Sequence, residues 1–250
     1  MHCTGMGAII GTAGWAIPRQ HATAFPLPDA GSGLQRYAAR FAGVEINSSF
    51  YRPHRRSTWE RWAASVPEDF RFSAKVPKAI THERRLVDCE DLAAAFLQDA
   101  HALGSKLSVL LVQLPPSLAL DPSVAETFFT MLHSQSDARI ACEPRHASWF
   151  EAEADDLLRQ CRVARVAADP ARVPQAAVPG GWRSLSYWRL HGSPVMYRSP
   201  YEADRLVDYA SAIEHDLTSG REVWCMFDNT ASSAAAVDAL ELMGMLKPTN

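Results

Sequence analysis

Charged and polar side chains collect where short apolar segments of this sequence end, and their types suit acid–base chemistry on an anion. Lysine, arginine and histidine can bind phosphate or carboxylate groups, whereas a carboxylate or an imidazole can move a proton. The residues predicted to be catalytic are Glu45, Glu143, His146 and His191. The residues predicted to bind substrate are Trp15, Asn47, Tyr51, Lys75, His82, Gln113, Arg145, Trp149, Arg189, Asp228 and Asn229.

Three of these residues are aromatic: Trp15, Tyr51 and Trp149. Together they could form a stacking platform for a sugar or a base. Core packing between loops explains them about equally well, and the sequence leaves both alternatives open.

The segments that carry these groups alternate with helical patterns. Strands are predicted at 8–14, 43–47, 70–75, 107–114, 139–143, 163–168, 186–191 and 222–227, and helices at 34–41, 58–65, 89–103, 123–132, 152–160, 206–218 and 232–246. This alternation, without a linker rich in Gly, Ser or Pro, predicts an α/β fold with one TIM-like (β/α)8 barrel over residues 1–250. Prolines in 163–185 leave no room for a helix, so we expect irregularity around units six and seven. An open doubly wound sheet is the alternative, but the first strand lacks a G-x-G-x-x-G turn.

In such a barrel the carboxyl ends of the strands meet at one face, where TIM-barrel sites lie. Side chains alternate along a strand, so an upper layer inside the barrel is expected. Its predicted members are Glu45, Lys75, Glu143, Arg189 and His191. Buried charges are costly unless they are paired. The layer is therefore either a structural ion-pair network or a polar pocket held ready for a ligand, and both interpretations stay open.

Composition narrows the class of protein. The 250 residues include 25 Lys and Arg against 28 Asp and Glu, which gives a net charge of −3 and argues against nonspecific coating of a polyanion. No apolar run approaches the ~18 residues of a membrane span, so no membrane partner is expected. Five scattered cysteines, Cys3 among them, form no C-x-x-C pair, which is typical of buried thiols in a reducing cytoplasm. The amino terminus has no signal-peptide pattern.

Six ordered strings point to a family. They are VEINSSFYR, AKVPKAITHERRL, LLVQLPPS, CEPRHASW, YWRLHG and FDNT. They resemble successive signatures of the YecE-like family, domain of unknown function 72, from about residue 9 to residue 246. The resemblance implies a TIM-like barrel and no established biochemical function. The chain departs from the family pattern at 16–18, where aromatics are usual, at Pro144, where the family tends to have Phe, and at Asp228, where it has Asn.

The leading functional hypothesis is an enzyme, a hydrolase or an isomerase, that acts on an anionic, phosphorylated small molecule or a phosphoester at the barrel mouth. No cofactor is predicted. One alternative is metal-assisted cleavage of damaged nucleic acid, with candidate ligands Glu45, Glu143, His146, His191 and Asp228. Another is a non-catalytic module that binds a sugar, a nucleotide or nucleic acid through the basic run 52–56. Nucleic acid is not the favoured partner. Substrate, reaction and oligomeric state stay open.

Overall fold

The computed structural model of this chain describes residues 7–25 and 31–246. The strands are β1 (Ile9–Thr12), β2 (Gly43–Ile46), β3 (Arg71–Lys75), β4 (Leu107–Gln113), β5 (Arg139–Glu143), β6 (Val163–Arg165), β7 (Ala167–Asp169), β8 (Gly180–Gly181), β9 (Leu185–Leu190) and β10 (Glu222–Phe227). The α-helices are α1 (Gly33–Ala38), α2 (Arg56–Ala64), α3 (Glu90–Ala100), α4 (Pro122–Gln135), α5 (Ala152–Gln160), α6 (Ala203–Thr218) and α7 (Ala235–Met245).

The strands form two sheets that meet at two seams. One sheet has the order β1-β10-β9-β7 and the other β2-β3-β4-β5-β6-β8, and every pairing is parallel except β6 with β8. At the first seam Ala13 bridges to Glu45, and the amide of Gly14 donates to the Glu45 carbonyl at 2.8 Å. At the second seam the chain passes directly from β6 to β7, and the Val166 amide donates to the Cys142 carbonyl at 2.8 Å. The predicted α/β fold with a TIM-like barrel is confirmed.

The irregular unit lies where the prolines predicted it. Strand six is divided into β6 and β7, and the chain then makes only a 3₁₀ turn, Pro174–Ala177, before β8. Proline has no amide hydrogen and disfavours a helical conformation in the preceding residue, so several prolines in a short segment suppress a helix. Between β7 and β9, all within the described ranges, no α-helix covers the sheet.

The barrel interior has an apolar floor beneath a polar layer. The floor is formed by Ile9, Val109, Leu111, Ala141, Ala164, Val166, Leu185, Tyr187, Trp224 and Met226. Two residues further along β4, β5, β9 and beyond β10, the inward positions become Gln113, Glu143, Arg189 and Asp228. Because side chains two apart share a face of a strand, each polar group lies one layer above an apolar one. A separate, larger apolar core packs the helices against the outside of the barrel.

The first seam requires two glycines. A Cβ on Gly11 would overlap the carbonyl oxygen of Gly43, and a Cβ on Gly43 would overlap the side chain of Ile9. The close approach of β1 and β2 holds Glu45 at its place in the polar layer.

No helix in the described ranges is long and apolar enough to cross a membrane. Cys89, Cys142, Cys161 and Cys225 are free thiols, and Cys3 lies outside the described residues.

Candidate functional site

Arg189 on β9 is the centre of the polar layer. Its Nε and Nη2 donate to the two oxygens of Glu45 at 2.9 and 2.7 Å, Nη1 donates to Glu143 Oε2 at 2.6 Å, and Nη2 also donates to Asp228 Oδ2 at 3.0 Å. The side chain is fully buried. One planar guanidinium thus joins carboxylates from three parts of the barrel, a geometry that only arginine offers.

Glu45, predicted to be catalytic, is enclosed. Besides the two bonds from Arg189, its Oε2 lies 3.1 Å from the Tyr187 hydroxyl, which in turn lies 2.9 Å from Ser73 Oγ. The carboxylate has no exposed surface. The structure therefore places Glu45 as the anchor of Arg189, below the surface that a substrate could touch.

Glu143 is held in its charged form. Burial raises the pKa of this carboxyl, but Arg189, His191 and Arg145 outweigh burial and hold the pKa well below its usual range. Its Oε1 accepts from Arg145 Nε and Nη2 at 3.1 and 3.0 Å, and its Oε2 accepts from Gln113 Nε2 at 2.9 Å. A carboxylate stabilised in this way is a weak base, so its geometry suits positioning Arg145 better than taking a proton.

His191 completes the network between two carboxylates. Its Nδ1 lies 3.0 Å from Asp228 Oδ2, and its Nε2 lies 3.3 Å from Glu143 Oε1 without making a hydrogen bond. Burial lowers the pKa of His191, but the two carboxylates outweigh burial and the pKa is raised. The network joins Arg145, Arg189 and His191 to the carboxylates of Glu45, Glu143 and Asp228. When His191 is protonated, the three positive and three negative charges of these residues are equal in number.

Lys75, the last residue of β3, forms no ion pair with the carboxylates of the polar layer. Its side chain is 4% exposed, and its Nζ lies over the Phe50 ring, 4.2 Å from the centroid. Across 7–25 and 31–246, Nζ has no carboxylate oxygen within 4.0 Å and no hydrogen bond. Ser49 Oγ donates to the Lys75 carbonyl at 2.6 Å and fixes the strand end. Burial, and next Arg189, lower the pKa of Lys75 to about 8, against the opposing pull of nearby carboxylates.

Two further groups, His82 and Arg145, form what we call the rim of the site. His82 packs edge-on against Phe50, with ring centroids 5.0 Å apart, and its Nδ1 lies 2.9 Å from Thr81 Oγ1. Burial, and next the charge of Lys75, lower the pKa of His82, so its imidazole is neutral at pH 7. The side chain of Arg145 is 19% exposed, and its Nη1 makes no hydrogen bond to the described part of the chain.

Three predicted site residues form hydrogen bonds that hold loops and turns, away from Lys75. Trp149 is 1% exposed within the outer core, and its Nε1 donates to the Leu118 carbonyl at 3.0 Å. Asn229 is fully buried and donates to Asp238 Oδ2 at 2.6 Å. The His146 Nδ1 lies 2.9 Å from Ser148 Oγ and accepts from the Ser148 amide, which caps the turn 147–150. The structure does not bring these side chains to Lys75.

The predicted aromatic platform is not assembled. Trp15 packs edge-on against Trp62 with centroids 5.0 Å apart, Tyr51 is 69% exposed, and Trp149 lies in the core. Asn47 is half-buried just beyond β2, with its Oδ1 enclosed and unpartnered.

Sequence reasoning missed two aromatic residues of the site. Phe50 supports both Lys75 and His82, and Tyr197 packs its ring 5.5 Å from that of His191 with its hydroxyl 3.5 Å from Arg145 Nη2. Both lie in segments without strand periodicity, so no alternation pattern indicates which way they point.

The candidate metal ligands are not arranged around a common point. Glu45, Glu143 and Asp228 converge on the Arg189 guanidinium, which takes the position a cation would need. In the described ranges no group of three or more His, Cys, Asp or Glu side chains could hold a metal ion.

Comparison with known proteins finds one family. The family model described as "Protein of unknown function DUF72" matches residues 9–250. UPF0759 protein YunF of Bacillus subtilis (strain 168) is 23% identical over 270 residues, 95% of this chain and 94% of that protein. UPF0759 protein YecE of Escherichia coli (strain K12) is 29% identical over 120 residues, 48% of this chain and 43% of that protein.

Solved structures share the fold. A DUF72 family protein from Thermotoga maritima MSB8 has a TM-score of 0.78 at 22% identity, covering 96% of this chain and 99% of that chain. One from Enterococcus faecalis V583 has a TM-score of 0.78 at 21% identity, covering 94% of each chain. A xylose isomerase-like TIM barrel/4-hydroxyphenylpyruvate dioxygenase fusion protein has a TM-score of 0.50 at 12% identity, covering 95% of this chain and 42% of that chain.

Proposed function

This chain belongs to the DUF72 family, and we propose that its barrel mouth is the site of an enzyme that acts on an anionic, phosphorylated small molecule. The observation that carries the proposal is the unpaired charge of Lys75. No carboxylate oxygen of the described residues lies within 4.0 Å of Lys75 Nζ, and the three carboxylates of the layer are engaged by Arg189, so a protonated Lys75 lacks a direct counter-ion. A buried, uncompensated cation is unfavourable. A bound anion would supply the missing partner.

The rim favours a phosphate or a similar oxyanion over a neutral ligand. Arg145 has its Nη1 free of protein partners while Glu143 holds its other side in place. Arginine donates in parallel to two oxygens of one anion, and a lysine adds a point charge. Lys75 and Arg145 both lower the pKa of His82, so both cations lie within electrostatic reach of His82.

His82 supplies the proton chemistry in this proposal. A neutral imidazole beside a bound anion can accept a proton at neutral pH and then return it as the imidazolium, and hydrolysis and isomerisation both require such transfers. Glu143 and His191, whose charges are already fixed by partners, act as positioning residues. The proposal needs no metal, because the carboxylates are engaged by Arg189.

The proposal also places the protein in the cytoplasm. The described cysteines are free, and free thiols are typical of a reducing compartment.

Sulfate binding tests the anion site. Sulfate keeps its charge between pH 7 and pH 9, whereas Lys75, with a pKa of about 8, loses its proton over that range. We expect sulfate affinity measured by calorimetry at constant ionic strength to fall by roughly tenfold from pH 7 to pH 9. Affinity that is absent, or that does not change with pH, would contradict the proposal. Tight oligonucleotide binding that sulfate does not displace would favour the nucleic-acid alternative instead.

Turnover tests the enzyme. Phosphomonoesters and sugar phosphates are incubated with the protein and followed by phosphorus NMR, which reports released phosphate for a hydrolase and a shifted ester resonance for an isomerase. We expect His82→Gln to lower turnover by ~10²-fold or more while sulfate affinity stays within about twofold, because the imidazole moves protons and does not supply the charge. Equal turnover in His82→Gln and the native chain would remove His82 from the chemistry. If sulfate binds but no phosphate compound is turned over, the result would contradict the enzyme and favour a non-catalytic binding module.

A further inference from the structure

We propose that Lys75 is a nucleophile that condenses with the carbonyl carbon of a small phosphorylated or carboxylated aldehyde or ketone, forming an imine on the protein. This inference rests on the proposed function, because the anionic group of the substrate would be held by the rim around Arg145. It adds the substrate class and a covalent step.

The surroundings of Lys75 differ from those of the other described lysines. Lys106 is also buried, but its Nζ donates to the carbonyls of Ala63 and Val66 at 2.8 and 3.0 Å. Lys78 is exposed and pairs with Glu83 at 3.2 Å. Lys75 alone among these three has an Nζ without a polar partner. Its nitrogen lone pair is therefore free to attack once a proton leaves.

Loss of that proton is easy at this position. Burial, and next the Arg189 guanidinium, lower the pKa of Lys75 to about 8. Relative to an ordinary lysine, this shift makes the neutral fraction at pH 7 on the order of 10²-fold larger. Desolvation and a neighbouring cation are the two means by which enzymes activate amines for imine formation.

The site also offers a path for the reagent. Although the side chain is 4% exposed, Nζ is not among the fully enclosed atoms, and the Phe50 ring covers one side of it. A carbonyl carbon would reach Nζ from a side that the Phe50 ring leaves uncovered.

The step balances without an oxidant or a reductant. The Lys75 ammonium gives one proton to a base, for which the neutral His82 is suited, and its nitrogen bonds to the carbonyl carbon. The carbonyl oxygen takes up protons from the amine and from His82, and it leaves as water while the C=N bond forms. The products are a protonated imine on Lys75 and one molecule of water. The iminium carries the same single positive charge as the ammonium from which it forms.

Pyridoxal 5′-phosphate, an anionic aldehyde, is the probe, and neutral pyridoxal is its matched control. Each is mixed with the native protein at pH 7, borohydride reduces any imine, and peptide mapping locates the adduct. The chain has four lysines, Lys75, Lys78, Lys106 and Lys247, so assignment is direct. We expect pyridoxal 5′-phosphate to label Lys75 at least about tenfold faster than Lys78, because of its larger neutral fraction. Sulfate should slow this labelling, and pyridoxal should label Lys75 more slowly.

Lys75→Arg separates this inference from the proposed function. The variant keeps a positive charge but has no nucleophilic amine, so the adduct at position 75 should disappear, and any sulfate binding that remains should no longer fall between pH 7 and pH 9, because arginine keeps its proton over that range. Equal labelling of Lys75 and Lys78, with pH-dependent sulfate binding intact, would overturn the imine and leave the anion site standing. Fast labelling of Lys75 by both probes, insensitive to sulfate, would support the reactive amine and overturn the anion site.

Discussion

Replacing Arg189 with methionine is expected to remove a large part of the stability of the fold. The substitution leaves the carboxylates of Glu45, Glu143 and Asp228 buried against one another without their shared partner. Breaking a buried ion pair by removing one member costs about 3–5 kcal/mol, against a total free energy of unfolding of about 5–15 kcal/mol. Urea unfolding followed by circular dichroism should give a midpoint far below the native one, or no folded baseline.

A double-mutant cycle distinguishes charge from packing. If unpaired charge is the cause, Glu45→Gln should destabilise the native chain yet recover part of the loss in the Arg189→Met background. Arg56→Met serves as the surface control, because Arg56 forms an exposed pair with Glu60 that is worth ~0.5 kcal/mol or less. A stable Arg189→Met variant with no coupling to Glu45 would mean that water or another ion already shields the carboxylates.

The sequence leaves two interpretations of the polar layer open, a structural ion-pair network and a pocket held ready for a ligand, and each fits a different part of the layer. Arg189, Glu45 and Asp228 have the enclosed, mutually satisfied contacts of a structural ion-pair network. Lys75 has none of these contacts, and its Nζ lies over the Phe50 ring. The same layer of charged residues thus contains both a structural ion-pair network and a candidate ligand-binding residue.

Strand alternation predicts much of this arrangement. The period of two places Lys75 above Ser73, Glu143 above Ala141, and Arg189 above Tyr187, and parallel strands bring these ends together. The prolines of 163–185 likewise predict that no helix follows strand six, whereas the division of strand six into β6 and β7 was not predicted. These features follow from local rules, because a residue in a strand has only two directions in which to point.

Loop residues have no such rule, and the sequence-based predictions are weakest there. Trp149 follows β5 closely, yet its indole turns outward to the carbonyl of Leu118 in a different loop. Phe50 and Tyr51 are adjacent and chemically similar, but Phe50 supports Lys75 while Tyr51 lies in solvent. Which ring points inward depends on tertiary contacts that a single sequence does not reveal.

The sequence also does not predict which cation of the layer pairs with which carboxylate. Five charged residues were expected in one layer, but nothing in their spacing indicates which cation would take the carboxylates. Arg189 takes them because a planar fork with five N–H groups can meet three carboxylates at once, whereas the lysine ammonium is a single point of charge. The unpaired state of Lys75 is therefore a consequence of the Arg189 geometry.

Replacing Lys75 with methionine is expected to weaken anion binding and to stabilise the protein at the same time. Methionine has a similar volume and places no charge beside Arg189, so it removes an unfavourable burial. We expect the free energy of unfolding at pH 7 to rise by about 1–2 kcal/mol, after the loss of the contact with Phe50 is subtracted. Sulfate affinity should fall by roughly 10–100-fold, since a hydrogen bond to a charged group is worth about 1.5–3 kcal/mol.

The pH dependence of this stability gain has a definite sign. The folded-state pKa of Lys75, about 8, lies below the value of 10.5 for an unperturbed lysine. The native chain therefore carries the full penalty below pH 8, and its stability recovers as pH rises from 8 toward 10.5. The difference in the free energy of unfolding between Lys75→Met and the native chain should narrow over that interval. The control Lys78→Met, at an exposed ion pair, should change neither the free energy of unfolding nor the sulfate affinity appreciably. Removal of a residue that is kept for function and not for stability is expected to stabilise the fold. A Lys75→Met variant that is less stable than the native chain would therefore mean that Lys75 supports the fold, and it would contradict this prediction.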